Sequence, residues 1–434
     1  MFTKYYKELK NNPFYKELEG EGIILFKGKT FKAVNTPLGY LTFEDSDKYI
    51  MIKDIQFDSP RGYYLLMEKL SIIFLHNPKD MMYQEHVYTY KTPRLFKVGT
   101  MPTGEHNLIT DVAGVTVGHA RVNNTGFTYI SEANDDVFKK KCIGAMYCYN
   151  GFGKTMGSLQ VKELGTIETP IVLTNTLDIP LAASCLIKDA LKENPEIGTL
   201  TGTVNPIVGE CNDGTLNSIR NRELTEADYE KARDSKSIFF DQGAVGAGSG
   251  MSCLGFKGGI GSASRTFAVD NRIYTLGVLV NSNFGGKSSL NILGKPYGEE
   301  LDMKPYMDKG SIMVVVATDL PVSSRQLERI IKRAEIGIGR TGSYAGNGSG
   351  DVMIGFTTAN RIDHYNKAFT NFTFISDNVI DSAFRACADA TEEAVLNSLM
   401  YATDTVSENG VKKKESLFNK LEDFDEIMGE ASYE

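Results

Sequence analysis

An unbroken apolar, mostly β-branched run, Ile312-Met313-Val314-Val315-Val316-Ala317, restricts what this chain can become more than any other feature. Six such residues without a polar interruption leave no solvent face, so the run predicts an interior strand covered on both sides. Gly310-Ser311 stands at its entrance, after a stretch rich in Gly, Lys and Pro. A second apolar run, Thr275-Leu276-Gly277-Val278-Leu279-Val280, closes on Asn281-Ser282-Asn283-Phe284-Gly285-Gly286. Helical periods separate and follow these runs: Pro180 to Leu191, Ser323 to Arg333 with Ser323 as a cap, and Asp377 to Tyr401 with Ile380, Phe384, Cys387 and Val395 on one stripe. Strands that come in runs, with helices between the runs, predict an α+β chain of sheets covered by helices.

The first 95 residues or so read differently. Gly22 to Phe26 and Tyr49 to Ile52 predict strands, and Tyr63 to Leu75 predicts one amphipathic helix. The expected organisation is a small α+β accessory unit over 1–95, of unassigned role, and a main domain over 96–434. Residues Asn419 to Glu434 are mostly acidic and read as a frayed tail or short helix.

Composition removes several function classes. The net charge of −8, without a basic tract, argues against a nucleic-acid partner. Six cysteines without a CxxC pair suit a reducing compartment, and five histidines without HxH or HxxxH spacing give no metal site. No cofactor or metal is expected. No signal-like apolar core opens the chain, and the Tyr63–Leu75 stretch carries Glu68 and Lys69 and is too short to span a bilayer. The expectation is a cytoplasmic protein with no membrane partner.

Two nucleotide-binding patterns fail on inspection. Gly151-Phe152-Gly153-Lys154-Thr155 ends like a phosphate loop, but Cys148 stands where its first glycine belongs. Gly243 to Met251 has glycines at the wrong spacing for a dinucleotide loop and no clear strand before it.

Acyl-transfer chemistry fits better. A glycine before a hydroxyl residue leaves its carbonyl without a side chain beside it. The Ser311 hydroxyl could attack that carbonyl, form an ester and, after hydrolysis, become the N-terminal residue of a new chain. Its α-amine, titrating near ~8, would then serve as the base in place of a histidine. On the dipeptide alone, a loop ending at a strand is the simpler reading. Downstream, Ser349 and Asp351 are two apart and would share a face if the segment is a strand. Asn283 offers an amide to an oxyanion, or simply forms a turn before glycine. Glu210, in Pro206-Ile207-Val208-Gly209-Glu210-Cys211, offers a carboxylate to a substrate ammonium, or is a solvated loop residue.

Several segments, taken in order, are similar to one family: Ile109 to Val115, Val117-Gly118-His119, Tyr149-Asn150-Gly151, Thr174-Asn175-Thr176, Gly243 to Met251, Phe256 to Arg265, Gly277 to Val280, Ala317-Thr318-Asp319, Gln326 to Arg329 and Gly339 to Ser343. From about Glu105 to Phe418 the chain resembles the self-processing aminopeptidases that include the L-aminopeptidase/D-esterase and the β-peptidyl aminopeptidases. That resemblance implies a four-layer αββα sandwich of the N-terminal-nucleophile-hydrolase type, cleaved between Gly310 and Ser311. It implies Ser311 as nucleophile, Ser349 and Asp351 as its hydroxyl and carboxylate partners, Asn283 as oxyanion donor and Glu210 as the acid that holds the substrate amine. It further implies a homo-oligomer, a tetramer of cleaved αβ units, acting without metal on a small peptide or aminoacyl amide. The family carboxylate is Glu, and here it is Asp351, one methylene shorter. Residues 1–95 have no counterpart in the pattern. Two rivals remain open: an acyltransferase of the ornithine acetyltransferase type, which uses Thr where this chain has Ser311, and a non-catalytic ligand-binding protein on the same fold.

Overall fold

The computed structural model describes residues 96–132, 136–298, 309–365 and 368–420, together with the backbone of five strands between 23 and 83. The chain forms two compact units, Met1–Leu95 and Phe96–Glu434. In the first, β1 (Ile23–Phe26), β2 (Lys29–Thr36), β3 (Gly39–Asp45), β4 (Tyr49–Phe57) and β5 (Asp80–Tyr83) make one sheet in sequential order. Neighbours are antiparallel until β5 joins β4 in parallel. The helix expected over Tyr63–Leu75, and residues 421–434 of the acidic tail, lie outside the described residues.

The second unit contributes β6 (Thr116–Val122), β7 (Thr125–Ser131), β8 (Lys140–Gly151), β9 (Thr155–Met156), β10 (Thr166–Ile167), β11 (Ile171–Asn175) and β12 (Ile207–Cys211). There follow the hairpin β13 (Ser252–Cys253) and β14 (Phe256–Lys257), then β15 (Gly259–Val269), β16 (Arg272–Phe284), β17 (Lys309–Thr318) and β18 (Gly348–Asp363). Its helices are α1 (Ser158–Leu164), α2 (Ile179–Glu193), α3 (Glu226–Asp234), α4 (Ser324–Ile331), α5 (Ala334–Arg340) and α6 (Asp381–Met400). The α2 helix carries Pro180 in its first turn, and α4 opens on Ser323, whose hydroxyl accepts from the Gln326 N–H while the Gln326 side chain caps in return. The stretch read as one helix from Asp377 is a 3-10 turn, Asp377–Val379, before α6 begins at Asp381.

The strands form a six-stranded sheet, β10-β8-β18-β17-β16-β15, and a five-stranded sheet, β6-β7-β11-β12-β9. In the larger sheet only β17 and β18 run parallel. The two sheets meet across one core. Ile130, Ile171, Leu173 and Ile207 of one face Met146, Ile260, Leu279, Met313, Val315 and Ile354 of the other. A second cluster seals α2 and α3 onto the outer face of the smaller sheet, through Tyr129, Val172, Val208, Leu186 and Tyr229. On the far side, α6 lies on β15 and β16, close enough that a side chain at Gly261 would overlap the Ala394 carbonyl, and α5 packs on α6. The layers are therefore helix, sheet, sheet, helix.

This layering explains the apolar run. Met313, Val315 and Ala317 face the inter-sheet core, while Ile312, Val314 and Val316 leave the other face and are equally buried. A buried ion pair ties the helical layer to the sheet: Arg265 of β15 donates to Glu393 of α6 at 2.5 Å, and Asn107 donates to the same carboxylate at 2.6 Å.

Candidate active site

Ser311 is the third residue of β17 and is 3% exposed. Register sets it opposite Asn283 on β16 and opposite Gly350 on β18. Its side chain follows Met313 and Val315 in alternation, so it points between the sheets. Its hydroxyl is buried without a hydrogen-bond partner among the described residues. The residue before it is held by its neighbour. Gly310 has φ +119°, and a Cβ there would overlap the Asn283 carbonyl oxygen. Conformation and space both demand glycine.

Asn283 is nearly buried, and its amide orientation is set at both ends. The Ser252 N–H donates to Oδ1 at 2.9 Å, and Nδ2 donates to the Asn212 carbonyl at 2.9 Å. An amide nitrogen carries a second N–H, and the register puts the Asn283 side chain on the same face of the sheet as that of Ser311. The loop that supplies Asn212 continues into Asp213, fully buried and hydrogen-bonded by Asn217 at 2.9 Å. Burial pushes the Asp213 carboxyl up to about 7, against the pull of its Asn217 and Thr125 hydrogen bonds.

Glu210 comes from the other sheet, near the end of β12, and is 3% exposed. Its Oε1 accepts from the Lys154 backbone N–H at 2.9 Å, and its Oε2 accepts a short hydrogen bond from the Thr176 hydroxyl. Gly153 bridges the gap to β18. A Cβ on Gly153 would lie 3.3 Å from the Gly350 Cα and 3.7 Å from Glu210 Oε1. Glu210 is therefore about one residue's width from the strand neighbour of Ser311. In the Gly151–Thr155 segment, Gly153 allows the close approach to Gly350 and the Lys154 backbone holds Glu210.

Ser349 and Asp351 share a face of β18, as their spacing predicts, and the Ser349 hydroxyl donates to Asp351 Oδ1 at 2.7 Å. Both are fully buried. Gly350 between them shares the face of Ser311, so the pair leaves the sheet on the opposite face. Ser349 is the register partner of Gly310. The pair therefore flanks the Gly310–Ser311 backbone rather than the Ser311 hydroxyl.

Sequence reading missed the residues that aim these groups: Thr176 and Lys154 behind Glu210, and Asn212 and Ser252 behind Asn283. It also missed Cys211, whose buried thiol donates to the Asn281 carbonyl at 3.3 Å with the Ser311 side chain among its neighbours. Burial, the Glu210 charge and the Asp351 charge raise that thiol, while Ser311 and the Met313 backbone act the other way. Thr176 carried a signal, since it lies in the Thr174-Asn175-Thr176 segment; Ser252 and Asn212 carried none. All six cysteines are free. Among the described residues no His, Cys, Asp or Glu cluster is arranged to hold a metal, and no helix is long and apolar enough to cross a membrane.

An αββα sandwich that holds a serine at the head of a central strand, with an asparagine amide opposite, is of the N-terminal-nucleophile (Ntn) hydrolase fold. Comparison with known proteins narrows the class. The model of Peptidase family S58 matches residues 107–413, and the chain belongs to that family; it is a peptidase. It is 32% identical over 346 residues to the beta-peptidyl aminopeptidase BapA of Sphingosinicella microcystinivorans, covering 71% of this chain and 84% of that protein. Among solved structures, the PH0078 protein from Pyrococcus horikoshii OT3 superposes with a TM-score of 0.73 at 42% identity, covering 78% of this chain and 98% of that one. The L-aminopeptidase D-Ala-esterase/amidase from Ochrobactrum anthropi, described as a prototype for the serine aminopeptidases and a new variant among the Ntn hydrolase fold, gives 0.72 at 31% identity, covering 79% and 99%.

Proposed function

We propose that this peptidase is a self-processed aminopeptidase in which Ser311 is first the residue that cuts the chain and then the catalytic nucleophile. The observation that carries the reading is the pairing of Ser311 with Asn283 beside an obligate Gly310, with Glu210 just across the sheet gap. In processing, Ser311 Oγ attacks the Gly310 carbonyl, the C–N bond breaks and an ester forms. Water then releases the Gly310 carboxylate and leaves Ser311 with a free α-amine.

In turnover, that amine takes the proton of Ser311 Oγ as the oxygen attacks the substrate carbonyl. The second N–H of Asn283 Nδ2 donates to the developing oxyanion, an amide already oriented by Ser252 and Asn212. The leaving amine departs with a proton, and water hydrolyses the acyl ester. Ser349 and Asp351, flanking the Gly310–Ser311 backbone, suit a role on the α-amine, holding it in place and balancing its charge. Glu210, with two of its lone pairs taken by Lys154 N–H and Thr176, has others for a substrate ammonium. Substrates are then small peptides or aminoacyl amides with a free amine.

A denaturing gel tests the processing step. Wild type should run as two fragments, 1–310 and 311–434, and Ser311→Ala as one band without activity. An uncut wild-type chain that hydrolyses aminoacyl p-nitroanilides would overturn the α-amine mechanism.

A further inference from the structure

A cavity of about 410 Å³ lies on the outer face of the five-stranded sheet, beneath α2 and α3. It sits at the end where β6 and β11 begin, marked by Thr116, Thr169 and Pro170. Glu210 is at the other end of the same sheet, roughly 15 Å away along β11. The cavity is therefore separate from the Ser311 site.

Its lining combines an apolar body with a bias of charge. Leu186, Ala190, Phe138 and the rings of Tyr129 and Tyr229 form the apolar part. Four carboxylates line it, from Asp136, Glu168, Asp189 and Glu193, against two cations, Arg233 and Lys236. Both cations are engaged. Arg233 donates to both oxygens of Asp189, at 2.9 and 3.1 Å, and also to Asp234; the Lys236 ammonium lies over the Tyr129 ring, 5.9 Å from its centre. Lys139 and Lys141 pair with Asp136 and Glu168. Glu193, at the rim, makes no ion pair with a described residue. Burial first, and then the nearby carboxylates of Glu132, Asp189 and Glu193, drive the Tyr129 hydroxyl far above its ordinary range.

A second observation points to a ligand. Asn194 lines the cavity and is 1% exposed. Its Nδ2 reaches Asp136 at 3.3 Å, but its Oδ1 is buried without a hydrogen-bond partner among the described residues. A buried acceptor left without a donor is costly, and native folds rarely keep one without a purpose. An acceptor and a rim carboxylate that find no partner among the described residues, with an aromatic wall beside them, together ask for N–H donors that carry positive charge.

We propose that this cavity is a second binding site, distinct from the catalytic centre, for a small organic cation bearing a primary ammonium on an apolar body. The ammonium sits between Asn194 Oδ1 and Glu193, and the apolar body lies against Leu186 and Tyr229. The volume suits a ligand of amino-acid size.

The test is calorimetric titration of benzylammonium chloride into Ser311→Ala protein, with benzyl alcohol as the neutral counterpart; it needs neither processing nor activity. Saturable binding that persists in Glu210→Gln is expected, at least about tenfold weaker for the alcohol. Ala190→Trp, which fills the cavity, should abolish it, and Glu193→Gln should weaken it about threefold. Glu210→Gln should leave it unchanged, which separates this site from the role given to Glu210 above. If Ala190→Trp fails to fold by circular dichroism, the Glu193→Gln/Asn194→Ser double variant decides instead, with an expected loss of at least about tenfold. Saturable binding absent below about 1 mM, equal affinity for amine and alcohol, survival in the cavity variants, or loss with Glu210→Gln alone overturns the proposal.

Discussion

The backbone carbonyl oxygen of Asn283 occupies the space that a side chain on Gly310 would need. Asn283, the strand partner of Ser311, thus also dictates which residue can precede Ser311. Gly310→Ala would force β16 and β17 apart where Ser311 and Asn283 pair, in a backbone conformation that costs a non-glycine residue ~1–3 kcal/mol. A time course on a denaturing gel should show processing slowed by about 100-fold, since small displacements of reacting groups cost that much. Processing at the wild-type rate would break the proposed link between this close contact and the cut.

Asn283→Ala removes the donor proposed for the oxyanion and frees both the Ser252 N–H and the Asn212 carbonyl that it now satisfies. The expected loss in kcat is about 10²–10³, with KM changed little. Steady-state kinetics on an aminoacyl p-nitroanilide separates the two. A rise in KM with kcat intact would assign Asn283 to substrate binding instead.

Glu210→Gln keeps a side chain of the same shape but gives up the charge. KM for substrates with a free amine should rise about 10- to 100-fold, while self-cleavage, which involves no free amine, keeps its rate. Thr176→Val, which removes the hydroxyl bonded to Glu210 Oε2, should give a smaller rise of the same kind. Equal damage to cleavage and turnover would make Glu210 a structural residue.

Glu393→Ala leaves the Arg265 guanidinium buried without its carboxylate. Chemical denaturation should show about 3–5 kcal/mol of lost stability. Because Arg265 also donates to the Val98 and Ser264 carbonyls, the packing of the segment that enters the domain at Phe96 should loosen with it.

Two buried groups give stability opposite dependences on pH. Burial holds the His119 ring down to about 4, so between 6.5 and 4 the unfolded chain binds a proton that the folded one refuses. Its contribution is complete above 6.5 and is lost as pH falls to about 4. Asp213, raised to about 7, keeps its proton in the fold while the unfolded chain loses it, so its contribution declines as pH rises from about 4 to 7. Each amounts to something on the order of 3–4 kcal/mol. Relative to wild type, Asp213→Asn should make stability climb more steeply from pH 4 to 7, and His119→Asn should flatten or reverse the climb from 4 to 6.5. Urea midpoints across that range give the slopes, and parallel profiles for all three proteins would contradict the assignment.

The strands were legible where burial on both faces left an uninterrupted apolar record, as in Ile312–Ala317, and the helices where a cap preceded a clear period, as at Ser323. Period two put Ser349 and Asp351 on one face, and they are hydrogen-bonded there. What spacing could not supply was which face. That depends on the register of β18 against β17, a relation between segments about forty residues apart, and it moves the pair from the Ser311 hydroxyl to the Ser311 backbone. The supports of Asn283 were illegible for the same reason: Asn212 lies 71 positions away and contributes only its carbonyl, which every residue has. Gly153 was visible, but its purpose was not. Glycine marks a close approach without naming the partner, and here the partner is Gly350.

The order of the six-stranded sheet has a consequence for any chain cut between Gly310 and Ser311. β17 and β18 would belong to the second polypeptide, yet they lie between β8 and β16 of the first. The second molecule would then sit as a two-stranded block inside the sheet of the first, so it could not leave without tearing a ladder on each side, β8 against β18 and β16 against β17. Once unfolded, the two molecules would have to find each other again by diffusion, and with no peptide bond to restore their register the assembly would behave as a one-way construction, easy to keep and hard to remake.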